Sequence, residues 1–210
     1  MKFMGFLLEG TLVTLQIFFM TLVFSLPLGL LISFGRMSKN RFISEVIKIY
    51  IDIMRGTPLI LQLIVVYFAP DDLFGLNIDR FVAAIIAFVL NYSAYFAEIF
   101  RGGIQSMPKG QYEAAEVLGF TRMQTFTGII LPQVIKRILP PVSNEVITLV
   151  KDTALVQTLG VSELYRVAKN EASRVSTTTP LFIAGIFYFV MNWIVTRVFH
   201  FTEKKLDYYK

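Results

Sequence analysis

Residues 10–35 read GTLVTLQIFFMTLVFSLPLGLLISFG and carry no charged side chain. A helix needs roughly 20 apolar residues to cross a hydrocarbon core about 30 Å thick. This stretch exceeds that length, so it decides the class: the chain is expected to be an integral membrane protein. No small-residue cleavage site followed by a soluble domain comes after it, so it is expected to remain as a span instead of being removed as a signal peptide. Immediately beyond it stand Arg36, Lys39, Arg41 and Lys48. Basic segments stay in the cytoplasm, which places the N-terminus outside.

The composition agrees with this reading. The 210 residues are 55% hydrophobic and 17% charged, with a mean hydropathy of +0.61, against a charged share near 25% in soluble domains. An aromatic content of 14% is too high for a disordered chain. A net charge of +5 could suit nucleic acid, but the Lys and Arg residues stand in short clusters between apolar runs, so no nucleic-acid partner is expected. With no cysteine there is no thiolate metal site, disulfide framework or cysteine nucleophile. His200 is the only histidine and has no catalytic constellation around it. No metal, no cofactor and no enzymatic chemistry are expected.

Outward from the first span, the apolar runs predict an all-α protein of about five transmembrane helices over 10–35, 49–69, 81–100, 138–160 and 176–197. The second must recruit residues 49–55, because only Gly56 to Pro70 is free of charge; Asp52 and Arg55, three apart, can pair on one helical face. The acidic loop from Pro70 to Arg80 suits the outside. The fourth is the weakest, since it passes Pro140, Pro141, Asn144, Glu145, Lys151 and Asp152 before reaching Gly160. Five crossings give an N-out, C-in topology. The segment 151–174 then has to lie outside although it carries Lys151, Arg166, Lys169 and Arg174, which runs against the charge bias. No internal repeat or soluble domain boundary is visible, so residues 1–210 read as one domain.

The longest cytoplasmic loop, 101–137, is itself patterned. Pro108 suits a helical first turn, and Gly119 stands where a left-handed C-cap is favoured, so a short helix is expected from Pro108 to Leu118. Thr121 and Gln124 have capping-box spacing for a second helix running to Pro132. The first helix is expected to present Ala114 and Ala115 beside Glu113, small residues that let another protein come close.

Glu113-Ala114-Ala115, Gly119, and Ile129-x-Leu131-Pro132 in ungapped register resemble the signature loop of bacterial ABC-importer permeases. Arg55-Gly56-Thr57-Pro58, Ser143-Asn144-Glu145, Lys151-Asp152-Thr153 and Gly160-Val161-x-Glu163-Leu164 are similar to further motifs of the polar amino acid permeases. The likeness covers nearly the whole chain. It implies a type I importer in the bacterial cell membrane: a second permease subunit, identical or not, completes the pathway, separate ABC ATPase subunits sit beneath, and an extracellular solute-binding protein delivers the amino acid. It also implies that the helix bearing Glu113, Ala114 and Ala115, closed by Gly119, couples to the ATPase. The chain has no Gly-x-x-x-x-Gly-Lys-[Ser/Thr] loop to cradle phosphates, so ATP hydrolysis falls to the partner.

Four residues are candidate substrate contacts. Glu145 and Asp152 are seven apart, within about 20° on a helix and roughly 10 Å along its axis. Ionisable groups inside a membrane face a cavity or a partner, and neutralisation by Lys151 or Arg137 is the alternative. Thr57-Pro58 reads as an N-cap and a first-turn proline opening a half-helix, whose N-terminus can hold a carboxylate. Asn91 shares a face with Glu98, which can also pair with Arg101. The paired acids point to polar amino acids as cargo, basic ones among them. A membrane scaffold that binds a cytosolic partner without transport is the rival reading; an ion-driven transporter calls for internal repeats and a coupling-ion site that the sequence does not display.

Overall fold

The computed structural model describes residues 2–206, and among them there is no strand. Nine α-helices run in order: α1 (Lys2–Arg36), α2 (Arg41–Gly56), α3 (Leu59–Phe74), α4 (Arg80–Gln105), α5 (Lys109–Val117), α6 (Arg122–Gln124), α7 (Leu131–Asp152), α8 (Leu164–Val175) and α9 (Thr179–Lys205). A π-helical segment (Thr125–Ile130) joins α6 to α7, and a 3₁₀ segment (Thr153–Leu159) extends α7. The all-α membrane class follows directly. By length and composition α1, α4 and α9 are each able to cross a bilayer, as is the bent pair α2–α3.

The helices depart from the expected spans in four places. The run 49–69 is not one helix: α2 and α3 meet at Thr57 and Pro58 with a bend of 111°. Each half has 16 residues, about 24 Å of helix, short of a full crossing alone. At the next boundary α3 continues through Pro70 and stops at Gly75, in the left-handed region. The second helix of the 101–137 loop does not stop at Pro132 either. Proline lacks an N–H and its ring crowds the carbonyl four residues back; the wider π turns just before it relieve that clash, and the helix runs on to Asp152. No helical break therefore separates that loop from the 138–160 run. Finally, the segment before α9 contains α8, whose Leu164 and Ala168 are buried while Lys169, Asn170, Ser173 and Arg174 are exposed.

The core is an α1–α4 seam with α3, α7 and α9 packed around it. Lipid tails are as apolar as leucine, so helices in a membrane associate through close packing and not through escape from water. The seam is built accordingly. Ala83, Ala84, Ala87, Ala94 and Ala97 of α4 are buried. A Cβ on Gly29 of α1 would stand only 2.8 Å from the Phe96 Cβ and 3.0 Å from the Ser93 carbonyl oxygen. Phe88, Tyr92 and Phe96, four residues apart on one face, fill the centre with Ile17, Leu63 and Leu149. The Phe88 and Tyr92 rings stack with centroids 6.1 Å apart.

Candidate coupling surface and polar pathway

α5 projects at the far end of α4. Its C-terminus closes as the sequence pattern requires. Gly119 has φ +79°; its N–H donates to the Glu116 carbonyl at 3.0 Å, and the Phe120 N–H donates to Ala115 at 3.0 Å. That is a Schellman pair, which satisfies carbonyls the helix end leaves free. Thr121 then opens the next turn with a full capping box: its hydroxyl accepts from the Gln124 N–H at 3.3 Å, while the Gln124 side chain accepts from the Thr121 N–H at 2.9 Å. Glu113 and Ala114 are exposed, as are Val117 (87%) and Leu118 (74%). Ala115 is not. It is 1% exposed and faces the protein interior, so the expectation that it lies open to a partner is corrected. A helix only nine residues long must keep one stripe against its own fold, and Ala115 is on that stripe.

The attachment of α5 to the bundle is specific. Gln111 and Gln133 exchange amide hydrogen bonds, Nε2 to Oε1, at 2.9 and 2.8 Å, and Gln133 Nε2 also donates to the Ile129 carbonyl at 2.7 Å. Arg137 donates to the Ser106 carbonyl at 2.7 Å, so it ties α7 to the end of α4 and does not neutralise the acids further along. Met107, Ile130 and Val134 form a small buried cluster beneath this junction. Sequence reasoning missed Gln111 and Gln133, because amide pairs across 22 residues leave no periodic signal.

A second polar constellation lies at the α2–α3 break. Thr57 caps the end of α2; it is not the N-cap of α3, which is Pro58. The Thr57 hydroxyl donates to the Ile53 carbonyl at 2.7 Å and accepts from Gln62 Nε2 at 2.8 Å. The N-cap reading is thereby corrected: with no N–H on Pro58, the chain uses the threonine to finish one helix instead of starting the other. Gln62 also donates to the Met54 carbonyl at 3.0 Å. Asn91, buried at 4% exposure, donates from Nδ2 to Met54 O at 3.0 Å and to Gln62 Oε1 at 2.9 Å. Its amide nitrogen is therefore engaged in holding the break, where open carbonyls would be costly in a membrane. Thr57 and Asn91 are brought into one network, with Gln62 as the bridging residue.

The two acids of α7 stand beside it. Tyr92, next to Asn91 on α4, donates from its hydroxyl to Asp152 Oδ2 at 2.8 Å. Glu145 is half-buried, makes no hydrogen bond or ion pair among the described residues, and lies within Coulombic reach of Arg55 and Asp152. Arg55 turns to α4 and away from Asp52: its guanidinium lies 3.9 Å from Glu98 and over the Tyr95 ring, 5.3 Å from the centroid. Glu98 is held by Arg101 in a two-pronged pair at 2.6 and 2.9 Å, the geometry in which a guanidinium binds a carboxylate best. Asp152 and Glu145 thus offer acceptor oxygens to a cationic group, with Tyr92 fixing one of them. No group of three or more potential metal-ligating acids or histidines occurs among the described residues.

Residues 25–208 match the family model described as the binding-protein-dependent transport system inner membrane component. The arginine transport system permease ArtQ of Bacillus subtilis is 40% identical over 96% of this chain and 92% of its own. A putative glutamine transport system permease GlnP of Rickettsia conorii is 37% identical over 96% and 93%. The L-cystine permease TcyB of Bacillus subtilis is 36% identical over 99% and 89%. Among solved structures, an amino acid ABC transporter crystallised with histidines superimposes with a TM-score of 0.89 at 36% identity, covering 97% of this chain and 95% of that one. An inward-facing form of the methionine transporter MetNI shares the fold, with a TM-score of 0.77 at 20% identity. These findings favour an importer subunit over a scaffold, and in such transporters the ATPase activity lies in a separate subunit. The chain belongs to the binding-protein-dependent inner membrane component family, as a permease subunit of the polar amino acid ABC importers.

Proposed function

We propose that this permease carries a polar amino acid across the bacterial cell membrane, with its backbone crossing five times, N-terminus outside and C-terminus inside. The crossings are α1, the α2–α3 pair, α4, α7 with its 3₁₀ extension, and α9; α5 lies in the cytoplasm and α8 outside. Two permease subunits, identical or related, enclose the pathway. Paired ABC ATPases bind the two α5 helices, and an extracellular solute-binding protein supplies the substrate.

The observation that carries this reading is the continuity of one helix, unbroken through Pro140 and Pro141. α7 is locked to α5 at Gln133 and bears Glu145 and Asp152 further along the same helix, so movement imposed on α5 by closing ATPases is delivered to the acids. The exposed Glu113, Ala114, Val117 and Leu118, backed by Gly119, form the docking face. Ala115 supports that face from inside. Asp152 accepts the substrate ammonium, and Glu145 reads its side chain or a second cationic group. Thr57 and Asn91 shape the wall at the break, where the start of α3 offers free N–H groups to a carboxylate. The shift from inward to outward access is driven by the difference in affinity of the two states for substrate and for nucleotide-bound partners.

Glu113→Lys and Gly119→Pro test the docking face. One reverses a charge on it. The other places a ring where φ is +79° and a left-handed turn is required. Both variants are expected to insert but to lose ATPase co-purification or substrate-stimulated hydrolysis. Wild-type values for both variants would remove α5 from the mechanism.

A further inference from the structure

At the end of the bundle away from α5, two guanidinium groups converge on one glycine. Gly160 follows the 3₁₀ extension of α7 with φ +85°, and a Cβ there would stand 2.6 Å from Arg80 Nη1 and 2.8 Å from Arg166 Nη1. The two nitrogens are therefore no more than about 5.4 Å apart, the sum of those distances. The backbone conformation demands glycine, and the absence of a side chain lets both guanidinium groups close over it. Arg166 Nη1 is buried and has no hydrogen-bond partner. Arg80 is exposed and uses Nε for Tyr67 Oη at 3.3 Å. Lys169 adds a third cation to the same wall, donating to Gln157 of the 3₁₀ segment at 3.1 Å.

The neighbouring carboxylates are committed elsewhere. Asp79 caps α4, accepting from the N–H groups of Phe81 and Val82 at 2.9 and 3.2 Å. Glu163 caps α8, accepting from the N–H groups of Tyr165 and Arg166 at 2.6 and 2.7 Å and from the Tyr188 hydroxyl at 2.9 Å. Like charges brought together repel; Glu163 lies within Coulombic reach of Arg166 and offsets part of its charge, but it accepts nothing from Nη1, and a buried N–H without an acceptor is costly. An anion between the two guanidinium groups would give Arg166 Nη1 the acceptor it lacks.

We propose that Arg80 and Arg166, over Gly160, form a carboxylate site that holds the α-carboxylate of the incoming amino acid before it reaches the acids of α7; this rests on the amino acid importer reading. A carboxylate is planar and offers two oxygens, which matches guanidinium forks. Arg166 Nη1 is closed off from solvent while Arg80 beside it is exposed, so the occupant is a small group and not a side chain fixed to a broad protein surface. Asp152 lies eight residues earlier, about 16 Å along a 3₁₀ path, so the carboxylate site and the acids are separate stops on the way in. The outer site therefore acts first, and because every amino acid carries the same carboxylate it aids capture without choosing among side chains.

The test uses the permease–ATPase complex in lipid nanodiscs carrying Asp152→Asn, which weakens the inner site. Binding of L-arginine and L-glutamine is compared with that of argininamide and glutaminamide at pH 6.5, below an α-amino pKa of roughly 7.7–8.0. Residual binding of the free acids is expected to exceed that of the amides at least tenfold, and to fall at least tenfold on adding Arg80→Gln or Arg166→Gln. Arg166→Lys, which keeps the charge, should retain part of it. Because Arg80 is exposed, Arg80→Gln keeps the test readable if a change at Arg166 disturbs folding. Equal binding of acids and amides, or indifference to both arginine substitutions, overturns the site. Weakened attachment of the solute-binding protein with unchanged amino acid binding also overturns it, in favour of a protein contact. If the wild-type complex binds neither amino acid, the importer reading fails first; if it binds through Asp152 but ignores the arginines, only the outer site fails.

Discussion

Replacing Gln111 and Gln133 by leucine, singly and together, isolates the link between the docking helix and the element that carries the acids. The pair shares two amide hydrogen bonds at 2.9 and 2.8 Å, and Gln133 adds a third to Ile129. A net hydrogen bond contributes about 1 kcal/mol. Gln111→Leu then costs about 2 kcal/mol, Gln133→Leu about 3 kcal/mol, and the double variant about 3 kcal/mol, because the shared bonds are lost only once. The coupling energy is therefore about 2 kcal/mol, read from denaturant-induced unfolding of the four proteins in mixed micelles. The functional readout is separate. The exposed docking residues are untouched, so the ATPase should still co-purify with each variant, while substrate stimulation of its hydrolysis falls several-fold. Additive stability losses, or full stimulation in the double variant, would refute the argument that α5 drives α7 through this pair.

Three further outcomes follow from the same geometry. Asp152→Asn preserves size but removes the charge that an ammonium meets; a hydrogen bond to a charged group contributes about 1.5–3 kcal/mol, so equilibrium binding of substrate to the complex should weaken roughly 10- to 150-fold. Glu145→Gln should reduce transport of arginine or lysine more than of glutamine if Glu145 faces the side chain, and all of them alike if it faces the shared ammonium; uptake across this panel decides, and wild-type concentration dependence for both acid variants would exclude the acids from the pathway. Single cysteines at Asn77 and Ser173 should react with an impermeant thiol reagent from outside, and ones at Lys39, Gln124 and Lys204 should not; labelling of position 173 only from inside would mean that α7 does not cross.

Local rules were the legible part of this chain. Gly119 and the Thr121–Gln124 spacing announced a Schellman end and a capping box because both depend on a handful of neighbouring residues. Long uncharged runs announced α1, α4 and α9 for the same reason. What depends on distant packing was not legible. The burial of Ala115 is set by the π segment beneath it, and the role of Thr57 by Gln62 and Asn91 reaching in from two other helices. Hydropathy ended the second span at residue 69 because Pro70, Asp71 and Asp72 follow, although the helix itself goes on to Phe74. α8 was hidden by its charges: with mainly Leu164 and Ala168 turned inward, its apolar stripe is too thin to stand out. Tyr92 was unread as a partner for Asp152, since 60 residues separate them.

The most direct measurement is uptake by proteoliposomes holding this permease with its ATPase and solute-binding protein. Radiolabelled arginine, glutamine and cystine are offered on the binding-protein side, with ATP enclosed on the α5 side. The account predicts accumulation of at least one of them against its gradient, dependent on ATP and on the binding protein, abolished by Glu113→Lys and strongly reduced by Asp152→Asn. Accumulation that needs no ATP, or that both variants leave at the wild-type level, would contradict it.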